Sequence, residues 1–272
     1  MKKRVIVAAI ALPLLLVVLL VLRTIFTSVL LAAMCGLAAW ELLYATGLVR
    51  HLRLVIYAIV IAAAIPFWCW LNCPRGFAVL LLTIYFIALA AELIYSNGEL
   101  PFAQVCISAF AALIVPGLLS AIVRMQLMDN GRFMVLVPCI IAFSADSGAY
   151  FVGRAFGRRR LAPLISPKKT IEGAVGGVIS AVAAMLIYGI VLRFGFGFEV
   201  NFIYTFIYGV LCSAASIVGD LVFSVVKRQV KLKDYGYILP GHGGILDRFD
   251  SMVVVAPLVE AFILLIPFAV RT

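Results

Sequence analysis

Charged side chains are scarce in this sequence, and their scarcity argues against an ordinary soluble domain. Only 12% of the 272 residues are charged and 65% are hydrophobic, whereas soluble domains carry about twice that charged fraction. Histidine occurs twice and cysteine six times. Only Cys69 and Cys73 lie close in sequence, with no histidine or second cysteine pair nearby. We therefore interpret the cysteines as small buried apolar residues and not as zinc ligands. The sequence also lacks internal repeats and low-complexity tracts.

Apolar runs of about 20 residues, each enough to cross a bilayer as a helix, recur along the whole chain. They predict an all-α polytopic membrane protein with about nine transmembrane helices. The first run follows Lys2, Lys3 and Arg4 and is too long for the apolar region of a signal peptide, so we interpret it as a span. The predicted spans are residues 5–22, 25–45, 54–72, 76–95, 102–122, 133–152, 172–192, 202–226 and 251–269.

Two connections between these spans, residues 153–171 and 227–250, are long and rich in Lys, Arg, Gly and Pro. Two spans separate them, so they share one side of the membrane in either orientation. With the N-terminus inside, 16 Lys and Arg fall on the inner side and 6 on the outer side, which favours a cytoplasmic N-terminus. Without the 11 in the two loops, the counts are 5 and 6. We expect the cytoplasmic (inner) membrane of a bacterium, with the active site facing the cytoplasm.

These features divide the chain into two predicted regions. Residues 1–130 form N-terminal transmembrane helices that serve packing, lipid access and, as an open option, homodimer formation. Residues 131–272 form a C-terminal catalytic region that contains both basic loops. The net charge is +10, and the basic residues flank apolar spans. They therefore indicate membrane lipids and nucleotide phosphates as partners, and not nucleic acid.

A polar stripe is predicted along the eighth span. Four residues at i, i+4, i+8 and i+11 share one face of a helix: Ser216, Asp220, Ser224 and Lys227. An ionised Asp at membrane depth costs about 2.5–3.5 kcal/mol on insertion scales, so a cation, a basic partner or a metal must offset that cost. Asp220 is therefore a candidate functional residue, although a structural ion pair would also explain it. The same reasoning applies to Asp146.

A glycine-rich turn leads into the ninth predicted span. Three glycines between positions 241 and 244 let backbone N–H groups approach an anion closely, which predicts a phosphate cradle. Asp247 and Asp250 follow this turn. Favourable charge at a helix N-terminus would explain one of these two carboxylates, but it would not explain Arg248 between them.

Carboxylates and basic residues in these segments together indicate nucleotide chemistry. Mg²⁺ prefers carboxylate oxygens and takes one or two of them together with substrate phosphates. Asp220 and Asp247, from successive helices, would suit such an ion, and a second cation is an open option. The residues that would neutralise a polyphosphate are Lys227, Arg228, Lys233 and Arg248.

Residues 224–250 closely resemble the signature of phosphatidate cytidylyltransferases, also called CDP-diacylglycerol synthases. The matching residues are Ser224-x-x-Lys227-Arg228-x4-Lys233-Asp234-x-Gly236-x3-Pro240-Gly241-His242-Gly243-Gly244-x2-Asp247-Arg248-x-Asp250. The upstream motifs of the same family are similar to Asp146-Ser-Gly-Ala-Tyr150, Gly153-Arg154, Gly157-Arg158 and Ser166-Pro167-Lys168-Lys169-Thr170-Ile-Glu172-Gly173. The resemblance covers residues 140–255.

This resemblance implies a nucleotidyltransferase of phospholipid biosynthesis that makes CDP-diacylglycerol and pyrophosphate from CTP and phosphatidic acid. A phosphate oxygen of the lipid would attack the α-phosphorus of CTP with the assistance of Mg²⁺. The expected catalytic residues are Asp220, Lys227, Lys233, Asp247 and Asp250, and the expected metal ligands are Asp220 and Asp247. The expected substrate-binding residues are Asp146, Ser166, Lys168, Lys169, Thr170, Ser224, Arg228, His242, Gly243, Gly244 and Arg248.

Several residues have a simpler interpretation. Ser166 or Thr170 would cap the helix that follows them, which is compatible with phosphate contact. The run Arg158–Arg160 is expected to hold anionic lipid at the surface. Glu41 and Glu92, which lie nearer helix ends, are expected to snorkel to water.

Three other functions stay open. A transporter or channel would explain the intramembrane carboxylates through an ion pathway, but not the crowding of glycine, histidine, basic and acidic residues in one loop. A closer alternative is an enzyme that transfers CMP to another lipid phosphate, or a CTP-dependent lipid kinase.

Overall fold

The structure is a computed structural model that describes residues 13–236 and 243–271. Residues 13–20 are helical. The later helices are α1 (Thr24–Trp40, continued by a π-helical turn, Glu41–Ala45), α2 (Leu52–Leu71), α3 (Arg75–Tyr95), α4 (Phe102–Leu127, interrupted by a π-helical turn, Phe110–Ile114), α5 (Leu136–Phe156, preceded by a short helix, Gly131–Met134), α6 (Ile171–Phe196), α7 (Phe202–Gln229), α8 (Leu246–Phe249) and α9 (Met252–Leu265). The strands are β1 (Arg160–Ala162), β2 (Ser166–Thr170), β3 (Glu199–Val200) and β4 (Ala269–Val270).

The predicted all-α polytopic membrane architecture is confirmed, but the count of nine spans is not. Within the described residues, seven helices are long and apolar enough to cross a membrane, namely α1 to α7. Part of the predicted span 5–22 lies outside the described residues. The predicted span 251–269 is wrong in length, because α9 has 14 residues. At 1.5 Å per residue it is about 21 Å long, short of the roughly 30 Å hydrocarbon core.

A proline ends α9 early. Pro267 disfavours helical backbone at the residue before it, and Ile266 accordingly has φ −139° and ψ 66°. The chain then runs as β4, which pairs antiparallel with β3. The backbone N–H of Asn201 donates to the Phe268 carbonyl at 2.8 Å. The apolar residues after Ile266 thus belong to a strand and not to a membrane helix.

The described chain falls into two compact units. The first comprises the residues up to Arg124 together with Val230–Arg248. In it α1 packs along α2, and the Tyr57 hydroxyl on α2 donates to Glu92 on α3 at 3.0 Å. Glu92 is buried, so its predicted snorkelling to water is wrong.

The second unit comprises Met125–Gln229 and the residues from Phe249 onward. Helix α5 packs closely against α6, and α7 and α9 pack around this pair. Glycines allow the close approach of α5 and α6, as small residues do at membrane helix interfaces. A Cβ atom on Gly177 would lie 2.8 Å from the Ala145 carbonyl oxygen, nearer than real Cβ contacts.

We expect Gly177→Val to destabilise the second unit by about 3 kcal/mol or more, because the added side chain must push backbone away. The matched control is Gly195→Val on the same helix, where an added Cβ would meet no atom within 4 Å. Thermal unfolding in detergent measures both. Equal unfolding temperatures for the two variants would contradict the tight packing of α5 on α6.

Candidate active site

A two-stranded hairpin, β1–β2, occupies the basic connection between α5 and α6. Arg160 pairs with Thr170 across the hairpin. The Glu172 carboxylate, in the first turn of α6, accepts hydrogen bonds from the backbone N–H groups of Arg158 and Arg159 at 3.0 and 3.2 Å. Side-chain to backbone contacts therefore fix this loop against the helix that follows it.

Thr170 is the residue that caps α6. Its Oγ1 accepts a hydrogen bond from the backbone N–H of Gly173 at 3.1 Å, which satisfies one of the free donors at the helix N-terminus. Ser166 lies instead at the start of β2. Of the two caps that the sequence allows, the structure uses Thr170.

A cavity of about 550 Å³ lies among α5, the hairpin, the start of α6 and α7. This volume falls within the usual range for small-molecule sites. Its polar lining residues are Asp146, Tyr150, Arg154, Arg160, Lys168, Lys169, Thr170 and Asp220. Four of them are basic and two are acidic, so the cavity suits an anionic ligand.

Asp220 has the basic partner that its place in a membrane-length helix requires. Its Oδ2 pairs with Lys169 Nζ, and the two side chains are 29% and 28% exposed. Its Oδ1 accepts a hydrogen bond from Ser224 Oγ, one turn on, at 3.2 Å. All four residues of the predicted polar stripe lie in α7, and Ser216 and Lys227 are buried. An ion pair, one of the alternatives drawn from the sequence, is therefore present.

Tyr150, Arg154 and Arg160 line the cavity but were absent from the predicted site. Arg154 Nη1 donates to the Tyr150 hydroxyl at 3.2 Å. Tyr150 and Arg154 follow Asp146 at i+4 and i+8 on α5, and this helical spacing would have found them. Arg160, which the sequence predicts to hold lipid at the surface, lines the cavity from β1, where it pairs with Thr170.

Asp250, another expected catalytic residue, is buried beside other carboxylates of the second unit. Burial, and after it the nearby carboxylates of Asp220 and Asp146, raise the pKa of its carboxyl group to about 7. Lys227 and a 2.7 Å hydrogen bond from the Ser251 backbone N–H oppose this rise. Three acidic groups are thus close enough to interact electrostatically.

We expect the unfolding free energy of the wild type to fall between about pH 4 and pH 7 relative to Asp250→Asn. An unfolded Asp titrates near 3.9, whereas the folded pKa is about 7. Between these values the unfolded chain has released a proton that the folded protein retains. The slope is therefore negative, up to about 1.4 kcal/mol per pH unit, and it levels off above pH 7. Thermal unfolding with EDTA present measures it; parallel profiles would contradict this prediction.

The expected site residues of the first unit lie around the turn that precedes α8. Asp247 Oδ2 accepts hydrogen bonds from the backbone N–H groups of Tyr235 and Gly244 at 2.8 and 3.0 Å. Gly243 has φ +87°, a conformation that glycine adopts without strain. Lys233 and Arg248 are exposed.

Arg228 and His242 are the remaining expected site residues. Arg228 lies at the end of α7, and its Nε donates to the Ile165 carbonyl at 3.0 Å. This hydrogen bond ties the tip of the hairpin to α7. His242 lies outside the described residues.

The second unit carries carboxylate oxygens, the kind of ligand that a hard divalent cation prefers. Asp146 and Asp220 line the cavity, and burial together with the nearby carboxylates of Asp220 and Asp146 raises the pKa of Asp250. Within the described ranges, no group of three or more His, Cys, Asp or Glu side chains has the arrangement of a metal site. Mg²⁺ commonly takes only one or two carboxylates and completes its shell with phosphate oxygens and water. Pairing of Asp220 with Asp247 stays a prediction.

Comparison with known proteins supports the family resemblance that the sequence motifs indicate. Residues 2–266 match the model of the cytidylyltransferase family. The chain belongs to this family. The match covers both units and all the expected site residues, so the cytidylyltransferase family assignment does not depend on the C-terminal signature alone.

Three curated bacterial proteins are similar to this cytidylyltransferase-family chain. It is 37% identical over 182 residues to a phosphatidate cytidylyltransferase of Bacillus subtilis, covering 66% of this chain and 64% of the relative. It is 42% identical over 136 residues to one of Haemophilus influenzae, covering 49% and 46%. It is also 32% identical over 241 residues to the uncharacterized protein YnbB of Escherichia coli, covering 82% and 79%. The matches therefore span less than two thirds of the two named enzymes.

Proposed function

We propose that the protein is a phosphatidate cytidylyltransferase, which converts CTP and phosphatidic acid to CDP-diacylglycerol and pyrophosphate. The observation that carries this proposal is the cavity of the second unit. In it four basic residues outnumber two acidic ones between helices of membrane-spanning length. Such a site would receive a charged, water-soluble nucleotide and a lipid phosphate that stays in the bilayer. The names of the Bacillus and Haemophilus relatives support the same reaction.

The proposed reaction is a displacement at phosphorus. A phosphate oxygen of phosphatidic acid forms a bond to the α-phosphorus of CTP, and the bond from that phosphorus to the α–β bridging oxygen breaks. Pyrophosphate leaves with the electron pair. The attacking oxygen is already anionic near neutral pH, so no strong general base is required. Catalysis then depends on positioning and on charge stabilisation.

The basic residues of the cavity would supply most of this stabilisation. Lys168 and Lys169 on β2, Arg154 on α5 and Arg160 on β1 would bind phosphate oxygens of CTP and of the lipid. Asp220 would hold Lys169 in position through their ion pair. When bound, Mg²⁺ would neutralise charge on the phosphates, and Asp220 with Asp247 would hold it.

The proposed setting is the inner membrane of a bacterium, with the site open to the cytoplasm. The bacterial relatives support the bacterial setting, and the excess of basic residues on the predicted inner side supports the orientation. A homodimer is compatible with the exposed apolar side chains of α3, but lipid would cover the same side chains equally well.

The test uses purified protein, phosphatidic acid vesicles, Mg²⁺ and CTP labelled with ³²P at either the α or the γ position. We expect the α label in a lipid-soluble product and the γ label in pyrophosphate, with neither product when EDTA is added. Label from γ in the lipid would establish a CTP-dependent lipid kinase instead. If the α label is transferred only to another lipid phosphate, that lipid and not phosphatidic acid is the acceptor. No transfer to any lipid would favour the transporter alternative.

A further inference from the structure

Glu41 is a buried carboxylate in the apolar N-terminal region, where no catalytic role was expected. It begins the π-helical turn Glu41–Ala45 at the end of α1, and none of its surface is exposed. The predicted snorkelling of this side chain is therefore wrong. Burial of an ionised carboxylate is costly unless hydrogen bonds compensate, so the partners of Glu41 indicate what it does.

Those partners are backbone groups of the turn that leads into α8. Glu41 Oε1 accepts a hydrogen bond from the Ile245 N–H, and Oε2 accepts one from the Leu246 N–H, both at 2.9 Å. Hydrogen bonds to a charged acceptor are about twice as strong as neutral ones. More than 200 residues of chain separate Glu41 from this turn, so the contact is a tertiary clamp and not local capping.

Two glycines of the signature make room for this carboxylate. A Cβ atom on Gly244 would lie 2.5 Å from Glu41 Oε2, and one on Gly236 would lie 2.8 Å from Oε1. Both distances are shorter than real Cβ contacts allow. Glycine at these two positions therefore leaves the space that the Glu41 carboxylate occupies.

Glu41 and Asp247 share the same short stretch of backbone. Asp247 accepts from the Gly244 N–H, and Glu41 accepts from the next two N–H groups. Three consecutive donors are thus directed to two carboxylates. Any shift of the backbone at 245–246 would move Asp247, which follows directly.

We infer that Glu41 is a positioning residue, which holds the turn 244–246 so that the Asp247 carboxylate has one fixed place in the reaction. The inference rests on the proposed function for its kinetic consequence. In this role Glu41 acts through the turn and not on the substrate. A displacement of about 1 Å of a reacting group lowers turnover by about 100-fold, so a loosened turn has a large effect.

The test compares Glu41→Gln with Glu92→Gln in the full-length protein. Glutamine at 41 keeps one acceptor oxygen but turns a donor NH₂ group towards the other N–H. We expect kcat for CDP-diacylglycerol formation to fall about 10- to 100-fold, per folded molecule, and amide hydrogen exchange at Ile245 and Leu246 to accelerate at least about 10-fold. Glu92, 8% exposed and bonded to Tyr57 in the same unit, is the matched control, and its variant keeps wild-type kcat.

A double-mutant cycle adds a readout that a general loss of stability would not give. Gly244→Ala should impair turnover because its methyl group displaces the Glu41 carboxylate. In Glu41→Ala the displaced group is absent, so adding Gly244→Ala should lower kcat little further.

Wild-type kcat in Glu41→Gln, equal losses in Glu41→Gln and Glu92→Gln, or additive losses in the cycle would overturn the inference. Unchanged exchange at Ile245 and Leu246 would also overturn it. Because the exchange measurement needs no substrate, it tests the clamp even if the wild type fails to make CDP-diacylglycerol. The proposed function and the clamp can therefore fail separately.

Discussion

For the proposed reaction, the Asp220→Asn variant is expected to form CDP-diacylglycerol about 10³-fold more slowly than the wild type while remaining folded. Asparagine has nearly the same shape, and its oxygen can still accept the hydrogen bond that Ser224 makes to Asp220. What it removes is the negative charge opposite Lys169. That charge orients the lysine in the cavity and, in the proposed reaction, would bind Mg²⁺. Loss of preorganised charge at a reacting centre typically costs about 10²–10³-fold in turnover, and loss of a metal ligand adds to this.

The control for Asp220→Asn is Asp129→Asn, the same substitution at an exposed position of the same unit. Initial rates with α-labelled CTP, at several Mg²⁺ concentrations, measure both variants. If a high Mg²⁺ concentration restores the turnover of Asp220→Asn, weakened metal binding accounts for the lost activity. If it does not, orientation of Lys169 accounts for the loss, and Lys169→Met should then be as slow as the double variant. Turnover within about threefold of wild type would contradict a role for Asp220 in the reaction.

Helical periodicity explains why much of the second unit could be predicted. The four residues of the polar stripe on α7 are spaced by four, four and three positions, and the structure keeps all of them in one helix. A spacing of four residues on α5 likewise connects Asp146 to Tyr150 and Arg154. Information of this kind is local, because a helix fixes the relative direction of its own side chains.

Long-range contacts explain what the sequence could not provide. The hairpin β1–β2 has strands of three and five residues, too short for an alternating pattern to stand out in a basic loop. Its position depends on Glu172 and Arg228, which bind backbone groups from other elements. Glu41 is the extreme case, since only the folded chain brings it to Ile245 and Leu246.

Hydropathy alone also gives a wrong prediction for the last membrane span. Residues 251–269 are apolar throughout, apart from Ser251 and Glu260, and they were predicted as one span. Hydropathy does not record that Pro267 prevents helical backbone just before it. The proline was a visible signal, and it predicts the shortened helix that the structure contains.

The second large effect is expected for Asp247→Asn, with a fall in turnover of about 10²–10³-fold and little change in the fold. Asp247 does two things that this substitution separates. Its Oδ2 accepts hydrogen bonds from the Tyr235 and Gly244 N–H groups, and an asparagine oxygen can accept both. Its negative charge, which would bind Mg²⁺ in the proposed reaction, is lost. Asp247→Leu, which loses the acceptor as well as the charge, is the comparison.

Kinetics and amide exchange at Tyr235 and Gly244 distinguish the two roles. We expect slow exchange in the wild type and in Asp247→Asn, fast exchange in Asp247→Leu, and low turnover in both variants. Wild-type turnover in Asp247→Asn, with low turnover only in Asp247→Leu, would mean that the charge is dispensable and that Asp247 only braces the turn. The predicted metal pair of Asp220 and Asp247 would then be wrong. The Glu41 clamp would instead serve to hold the turn, because two carboxylates that bind consecutive N–H groups stabilise the same backbone.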